Sequence, residues 1–254
     1  MNDYDALAAR WKALRAAGDL SVREVACVGA PRTLLCAERG DARAPLVALC
    51  AGVHGDEPAG AWALLELFET AALPSEYAYR IWPCTNPSGF SAGTRENAEG
   101  TDVNRTFGRG GTTPEARAML TANRDRKYAL SIDLHEDCDA PGFYCYEYGA
   151  GDIGRDVVDA VRGAGYAIAD PGTCDLGGPL DAPAFDDGVV RPDAAGESKT
   201  IGGLSYSMSI VRRAALRALT FETPQCLPLR ERMTIHTIAV KAALTALSKQ
   251  HPHG

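Results

Sequence analysis

The chain has 254 residues, 46% of them apolar and 23% charged, a composition that builds a packed core and excludes disorder as its main state. Its formal net charge of -7 argues against a nucleic acid or other polyanion as partner, because phosphate backbones are held by accumulated lysine and arginine. No run reaches the roughly 18 apolar residues that would cross a bilayer, so a membrane partner is not expected either.

The first residues, "MNDYDALAARWKALRAAGDL", begin with acids and lack an apolar core followed by small residues. They are not expected to act as a secretory signal. Residues 4 to 16 read as an amphipathic helix. "SVREVACVG" and "RTLLCAE" read as two strands, and "PLVALCAGV" as a buried strand, because its apolar run is continuous rather than alternating. "PAGAWALLELFETAA" reads as a helix with Pro58 in its first turn, where the missing N-H does no harm. "AYRIWPCTN" is the next strand, "PEARAMLTANRDRK" a helix, "YALSIDLHE" a strand and "GFYCYEY" another. A helix near 151 to 163 and a short strand near 166 to 169 follow. The chain ends with a helix over 205 to 214, the strand "LRALTFETP" and a helix near 229 to 248.

Strands alternating with helices imply a single α/β domain, residues 1–254, with a mostly parallel mixed sheet and helices on both faces. Two long stretches, 85 to 111 and 170 to 203, read as irregular, and loops of that length are usually functional or mobile. The eight cysteines, at 27, 36, 50, 84, 138, 145, 174 and 226, form no C-x-x-C pair and several lie in apolar runs. Reduced thiols and a cytoplasmic location are the expectation.

Five histidines are available for chemistry. His251 and His253 belong to the tail "KQHPHG" and read as solvated; His236 falls within the last helix and reads as packed or exposed. His54 and His135 differ from these, since each follows or ends an apolar strand-like run. In an open parallel sheet, ligands bind beyond the carboxyl ends of the strands. His54, Glu57 and His135 emerging together at that edge would offer the two nitrogens and one carboxylate of a catalytic zinc site, with a fourth position left for water. Such a site also needs a general base and a cation for a developing oxyanion. Glu222, which closes "ALTFETP", is the candidate base, and Arg95 and Arg105 are candidate oxyanion and anion binders. Each also has a plainer reading as a solvated charge.

Taken in order, "GVHGDE", "NPSGF", "GTREN", "GTDVNRTF", "IDLHE" and "FETP" resemble the zinc carboxypeptidase superfamily, in particular the branch shared with succinylglutamate desuccinylase and aspartoacylase. The resemblance covers roughly residues 45 to 145 and 203 to 225. It implies one Zn2+ per chain held by His54, Glu57 and His135, with Glu222 as the catalytic Glu and Arg95 polarising the scissile carbonyl. It further implies that Asn104 and Arg105 grip a substrate carboxylate, while Asp102 orients the first zinc histidine from behind. In digestive-type relatives a tyrosine closes over the substrate; Tyr206 is offered for that part, with a packing tyrosine as its other reading.

The implied substrate is a small peptide or N-acyl amino acid with a free carboxylate. Deacylases of this branch usually carry a sizeable C-terminal β-domain, for which the residues after Glu222 leave no room, so a carboxypeptidase is favoured and a deacylase is the alternative. A metal- or ligand-binding module without catalysis is a further alternative, set against the presence of Glu222. A structural zinc site is disfavoured, since such sites prefer four ligands rich in Cys. Asp186, Asp187 and Asp193 in the loop 170 to 203 would make a specificity wall acidic and favour a cationic side chain. Glu136, Asp137 and Asp139 are expected to be mainly solvated.

Overall fold

The computed structural model describes residues 2–15, 20–149, 151–170, 184–192 and 202–250. Its strands are β1 (Ser21–Val25), β2 (Leu34–Arg39), β3 (Leu46–Ala51), β4 (Ala78–Trp82), β5 (Leu130–Asp137), β6 (Tyr144–Gly149), β7 (Ala184–Asp186), β8 (Val189–Arg191) and β9 (Arg217–Pro224). They form one nine-stranded sheet in the order β1-β2-β4-β3-β5-β9-β6-β8-β7. The four central strands β4, β3, β5 and β9 run parallel. The β1-β2-β4 side and the β9-β6 pairing are antiparallel, as is the β7-β8 hairpin. The sheet is therefore mixed, with a parallel centre and one further parallel pairing, β6 with β8, toward one edge.

Among the described residues seven helices accompany it: α1 (Tyr4–Leu14), α2 (Pro58–Glu69), α3 (Pro87–Ala92), α4 (Pro114–Ala122), α5 (Ile153–Gly163), α6 (Tyr206–Arg213) and α7 (Leu229–Gln250). Their starts follow local chemistry. The Asn86 side chain accepts the Gly89 N-H at 2.9 Å with Pro87 behind it, Thr113 precedes Pro114, and the Ser205 hydroxyl accepts the Met208 N-H. Each cap satisfies an amide that the first turn leaves without an intrahelical partner.

Because side chains alternate across a strand, the sheet has two unlike faces. Val47, Leu49, Ile132, Leu134, Leu219 and Phe221 point into a core closed by α1, α2, α5 and α7. Ala48, Cys50, Trp82 and Ala218 point the other way, against Val103, Phe107, α4 and α6. The second face is the polar one near the carboxyl ends of the strands, where Ser131, Asp133, His135 and Asp137 follow one another at every second position of β5.

Several expectations are corrected. The segment read as a strand near 166 to 169 makes only a single bridge, Ile168 to Phe143. The stretch 85 to 111 holds α3 and a 3-10 turn, Val103–Arg105, whose Asp102 side chain caps the Asn104 N-H at 2.9 Å. The stretch 170 to 203 contributes the β7-β8 hairpin; most of it lies outside the described residues, as do Cys174, Asp193, His251 and His253. The other cysteines are free thiols, with Cys138 and Cys226 exposed. Among the described residues no helix is long and apolar enough to cross a membrane.

Gly55, in the turn that carries His54, lies directly against the backbone of Gly89 and Phe90 in α3. "GVHGDE" and "NPSGF" are thus in van der Waals contact, and a side chain at the crossing has nowhere to go. Gly55→Ala is expected to destabilise the protein by about 1–3 kcal/mol through overpacking, measured by urea unfolding; a wild-type midpoint would contradict the contact.

Candidate metal-dependent active site

The carboxyl ends of β3 and β5 and the start of α2 bring His54, Glu57 and His135 together. All three are buried, between 2% and 4% exposed. His54 Nδ1 lies 2.6 Å from Glu57 Oε1, His135 Nδ1 lies 2.9 Å from Glu57 Oε2, and the two Nδ1 atoms are 3.2 Å apart. The opposite ring nitrogens face carboxylates: His54 Nε2 is 3.3 Å from Asp102 Oδ1, and His135 Nε2 is 3.1 Å from Asp133 Oδ2. Both nitrogens of each ring thus face carboxylates; a cation among the Nδ1 atoms and Glu57 would leave hydrogen on each Nε2, toward its aspartate, and turn each Nδ1 lone pair inward.

Two imidazole lone pairs and a carboxylate pointed at one buried space repel each other unless a cation lies among them. This donor set fits a divalent metal with nitrogen and oxygen ligands, and three protein ligands with no cysteine fit a catalytic rather than a structural site. A second acidic group, Asp137, Cys138 and Asp139, lies half-buried to exposed at the rim. There the Tyr144 hydroxyl donates to Asp137 Oδ2 at 2.7 Å and the Asp139 N-H donates to Asp137 Oδ1.

The protonation directions follow from the same contacts. Burial raises the Glu57 carboxyl, but His54 and His135 together outweigh it and hold it well below the carboxylate range. Burial opposes charge on His135, yet Asp133 and Glu57 overcome it and lift its pKa well above the usual imidazole value. Asp102 is likewise raised by burial and then carried below its ordinary range by His54, Arg95 and Arg105.

Asp102 organises the loop side of the site. Arg95 Nε and Nη2 both donate to Asp102 Oδ2, at 3.1 and 3.0 Å, leaving Nη1 3.3 Å from His54 Nδ1. Arg105 Nη1 donates to the Asn104 carbonyl at 3.2 Å and lies 3.8 Å from Asp102 Oδ2. The Asn104 side-chain oxygen accepts the Tyr206 N-H at 2.9 Å, which fixes the amide's orientation. Arg95, Asn104 and Arg105 line the same cavity as the two histidines, Glu57 and Glu222, a space of about 330 Å³.

Glu222 is the direct neighbour of His135 in the parallel register of β5 and β9, so both side chains rise from one face. Burial pushes its carboxyl well above the usual value, with Glu57, Asp137 and Asp133 adding to the rise against the opposing pull of His135. A carboxylate raised in this way takes up a proton more readily than a solvated one.

Tyr206 is not where a substrate-closing tyrosine would be. Its ring is buried, packs edge-on against Phe107 at 5.4 Å, and belongs to the core under α6. The residue contributes its backbone N-H to Asn104 instead. The aromatic wall of the cavity is formed by Tyr144, Tyr146 and Tyr148. These lie on one face of β6 at every second residue, an alternation legible in "YCYEY". The acidic wall expected from the 170 to 203 loop is also not met at the described positions: Asp186 pairs with Arg155, and Asp187 with Arg155 and Arg162, all on α5.

Glu136 is a further correction, being buried rather than solvated. Its carboxylate accepts the Ala59 N-H at 2.6 Å and a bond from Arg232 of α7, and burial pushes its pKa up to about 7. His236 is packed, its Nε2 3.2 Å from the Thr223 hydroxyl. Asp133 escaped sequence reading although the signal was present: it precedes His135 by two residues in a strand and so shares its face.

The sequence pattern of the succinylglutamate desuccinylase/aspartoacylase catalytic domain matches residues 43–143. Carboxypeptidase SOL1 of Arabidopsis thaliana is 32% identical over 103 residues, 33% of this chain and 21% of that protein. The chain thus spans about a fifth of the length of that relative. In structure, a Shewanella amazonensis SB2B protein provisionally assigned to the metallopeptidases superposes with a TM-score of 0.76 at 23% identity, covering 98% of this chain and 93% of that one. Carboxypeptidase A of Helicoverpa armigera superposes with a TM-score of 0.70 at 14% identity, over 98% and 74% of the two chains.

Asp133→Asn keeps the side-chain shape and removes the charge behind His135. It is expected to weaken binding of a divalent metal about 10–100-fold, read by competition with a chromophoric chelator. Undiminished affinity would remove Asp133 from the site.

Proposed function

From a chain that carries the fold of the zinc carboxypeptidase superfamily and, over residues 43–143, the catalytic-domain pattern of its succinylglutamate desuccinylase/aspartoacylase branch, we propose a zinc-dependent hydrolase that cleaves an amide bond next to a free carboxylate. The favoured reaction is removal of a C-terminal residue from a peptide. The observation that carries this reading is the assembly of one buried ligand set, a raised carboxyl beside it and two arginines on a single cavity.

His54, Glu57 and His135 would hold one zinc ion, which when bound supplies a Lewis acid and brings the pKa of water toward neutrality. The chain's own residues then divide the work. Glu222 takes the proton from the attacking water and returns it to the departing amine, a transfer its raised pKa favours. Arg95, held by Asp102 with Nη1 toward the ligand set, faces the oxygen on which negative charge grows. Arg105 and Asn104 bind the substrate carboxylate, for which a planar guanidinium offers two parallel donors. Fixing that end sets the neighbouring amide in place and removes orientational entropy from the barrier.

The match to the desuccinylase and aspartoacylase domain supports a second reading, hydrolysis of an N-acyl amino acid. Both reactions use a carboxylate anchor and an amide, so the residues above serve either. A panel of peptides with free or amidated C-termini, together with N-acyl amino acids, separates them. Turnover of free-ended peptides and none of the amidated ones is the expected result; turnover confined to N-acyl amino acids would establish the second reading.

Glu222→Gln should retain stoichiometric zinc and lose about 10²–10⁴-fold in kcat, followed by metal analysis and steady-state kinetics. An active variant would remove the base. Arg105→Ala should raise KM for carboxylate-bearing substrates by about 10–100-fold with a smaller change in kcat, and an unchanged KM would contradict the anchor.

A further inference from the structure

Glu57 has two competing duties. It is the N-cap residue of α2, where a side chain ordinarily accepts one of the first free amides of the helix. It is also the carboxylate of the metal site, with Oε1 and Oε2 turned to His54 and His135, and it makes no cap hydrogen bond. Pro58 has no N-H, so the first amide in need of an acceptor is that of Ala59, which is buried.

That acceptor arrives from another strand. Glu136, next to His135 on β5, puts Oε1 2.6 Å from the Ala59 nitrogen, while its own backbone N-H donates to Glu57 Oε2 at 3.1 Å. One residue therefore grips both the metal-site carboxylate and the helix that carries it. Glu136 is 4% exposed and its Oε2 meets Arg232 Nη1 from α7, where Arg232 is itself 8% exposed. A buried carboxylate beside a cluster already holding Glu57, Glu222 and Asp133 needs a cation of its own.

We propose that Glu136 and Arg232 are positioning residues for Glu57: Glu136 caps α2 in place of its own N-cap residue, freeing the Glu57 carboxylate for a metal, and Arg232 holds Glu136 in that role. The inference rests on the metal-site reading above. It makes ligand geometry depend on α7, which contributes no residue to the lining of the cavity, and it gives "LHE" a reason for the Glu that follows its ligand.

The test uses zinc itself, with affinity read by chelator competition and ligand geometry by the absorption spectrum of the Co2+-substituted protein. Arg232→Met is expected to lower zinc affinity about 10–100-fold and alter the Co2+ spectrum, because the Glu136 carboxylate loses its partner and leaves Ala59. The double variant Glu136→Gln/Arg232→Met keeps an oxygen for the Ala59 N-H without a buried charge, and should bind zinc within about threefold of wild type. Should Arg232→Met fail to fold, the comparison passes to Glu136→Gln/Arg232→Met against Glu136→Leu/Arg232→Met. Both lack the ion pair, and only the first retains an acceptor, so it should bind zinc about tenfold or more tightly. Equal affinity and identical Co2+ spectra in the folded variants, with only the thermal midpoint lowered, would reduce the pair to a packing role and overturn the proposal. A wild type that binds no zinc would remove the metal-site reading along with it; wild-type binding with indifferent variants would remove this proposal alone.

Discussion

Three electron-pair donors, His54 Nδ1, His135 Nδ1 and the Glu57 carboxylate, face one buried space, and most of the polar structure exists to keep them there. Left alone, such groups repel or rotate away. Here each imidazole is held from behind by an aspartate at Nε2, which would keep a hydrogen on that nitrogen and leave Nδ1 for a metal. The two aspartates come from unlike places, Asp102 from a 3-10 turn and Asp133 from the same strand as the histidine it holds, so the two rings are constrained by independent parts of the fold.

The sheet converts distance in sequence into adjacency. His135 and Glu222 are Cα partners across β5 and β9, and Tyr144 partners Glu222 across β6. A slip of one residue in either pairing would move the whole row to the apolar face, so the hydrophobic core on the far side holds the register of these side chains. That core of Leu49, Ile132, Leu134, Leu219 and Phe221 leaves the row little freedom. The parallel centre matters because it sends the ends of β3, β5 and β9 to one edge, where the turns open toward solvent.

The cost of the arrangement is a concentration of buried acids. Glu57, Asp133 and Glu136 are buried and Glu222 partly so, all at this end of the sheet, and among the described residues the cations against them are few: Arg95 on the loop side, Arg232 behind α2, and the site histidines. A divalent ion completes this balance. Burial raises the Glu222 carboxyl first, and the neighbouring acids add to the rise, so the surroundings that favour a metal also raise the carboxyl beside it. Asp102 binds His54, Arg95 and the Asn104 amide at once, coupling the histidines to the loop of Asn104 and Arg105 through one side chain.

Local order determined a great deal by itself. The alternation of strand and helix, the proline-led starts of α2 and α4, and two histidines each placed where an apolar strand ends are all short-range signals, and they pointed to the sheet and to the residues offered as ligands and base. What lay beyond them were facts of packing. Whether Tyr206 faces a substrate or Phe107 depends on which side of α6 meets the sheet, and its phenol went to the core. Glu136 reads as one more acid after His135 until α7, nearly a hundred residues later, brings Arg232 against it. Asp186 and Asp187 look like pocket walls until α5 supplies their arginines. Charge in a sequence has no address; only the tertiary structure decides which opposite charge or apolar surface each residue meets, because burial and pairing arise between segments that the chain itself keeps far apart.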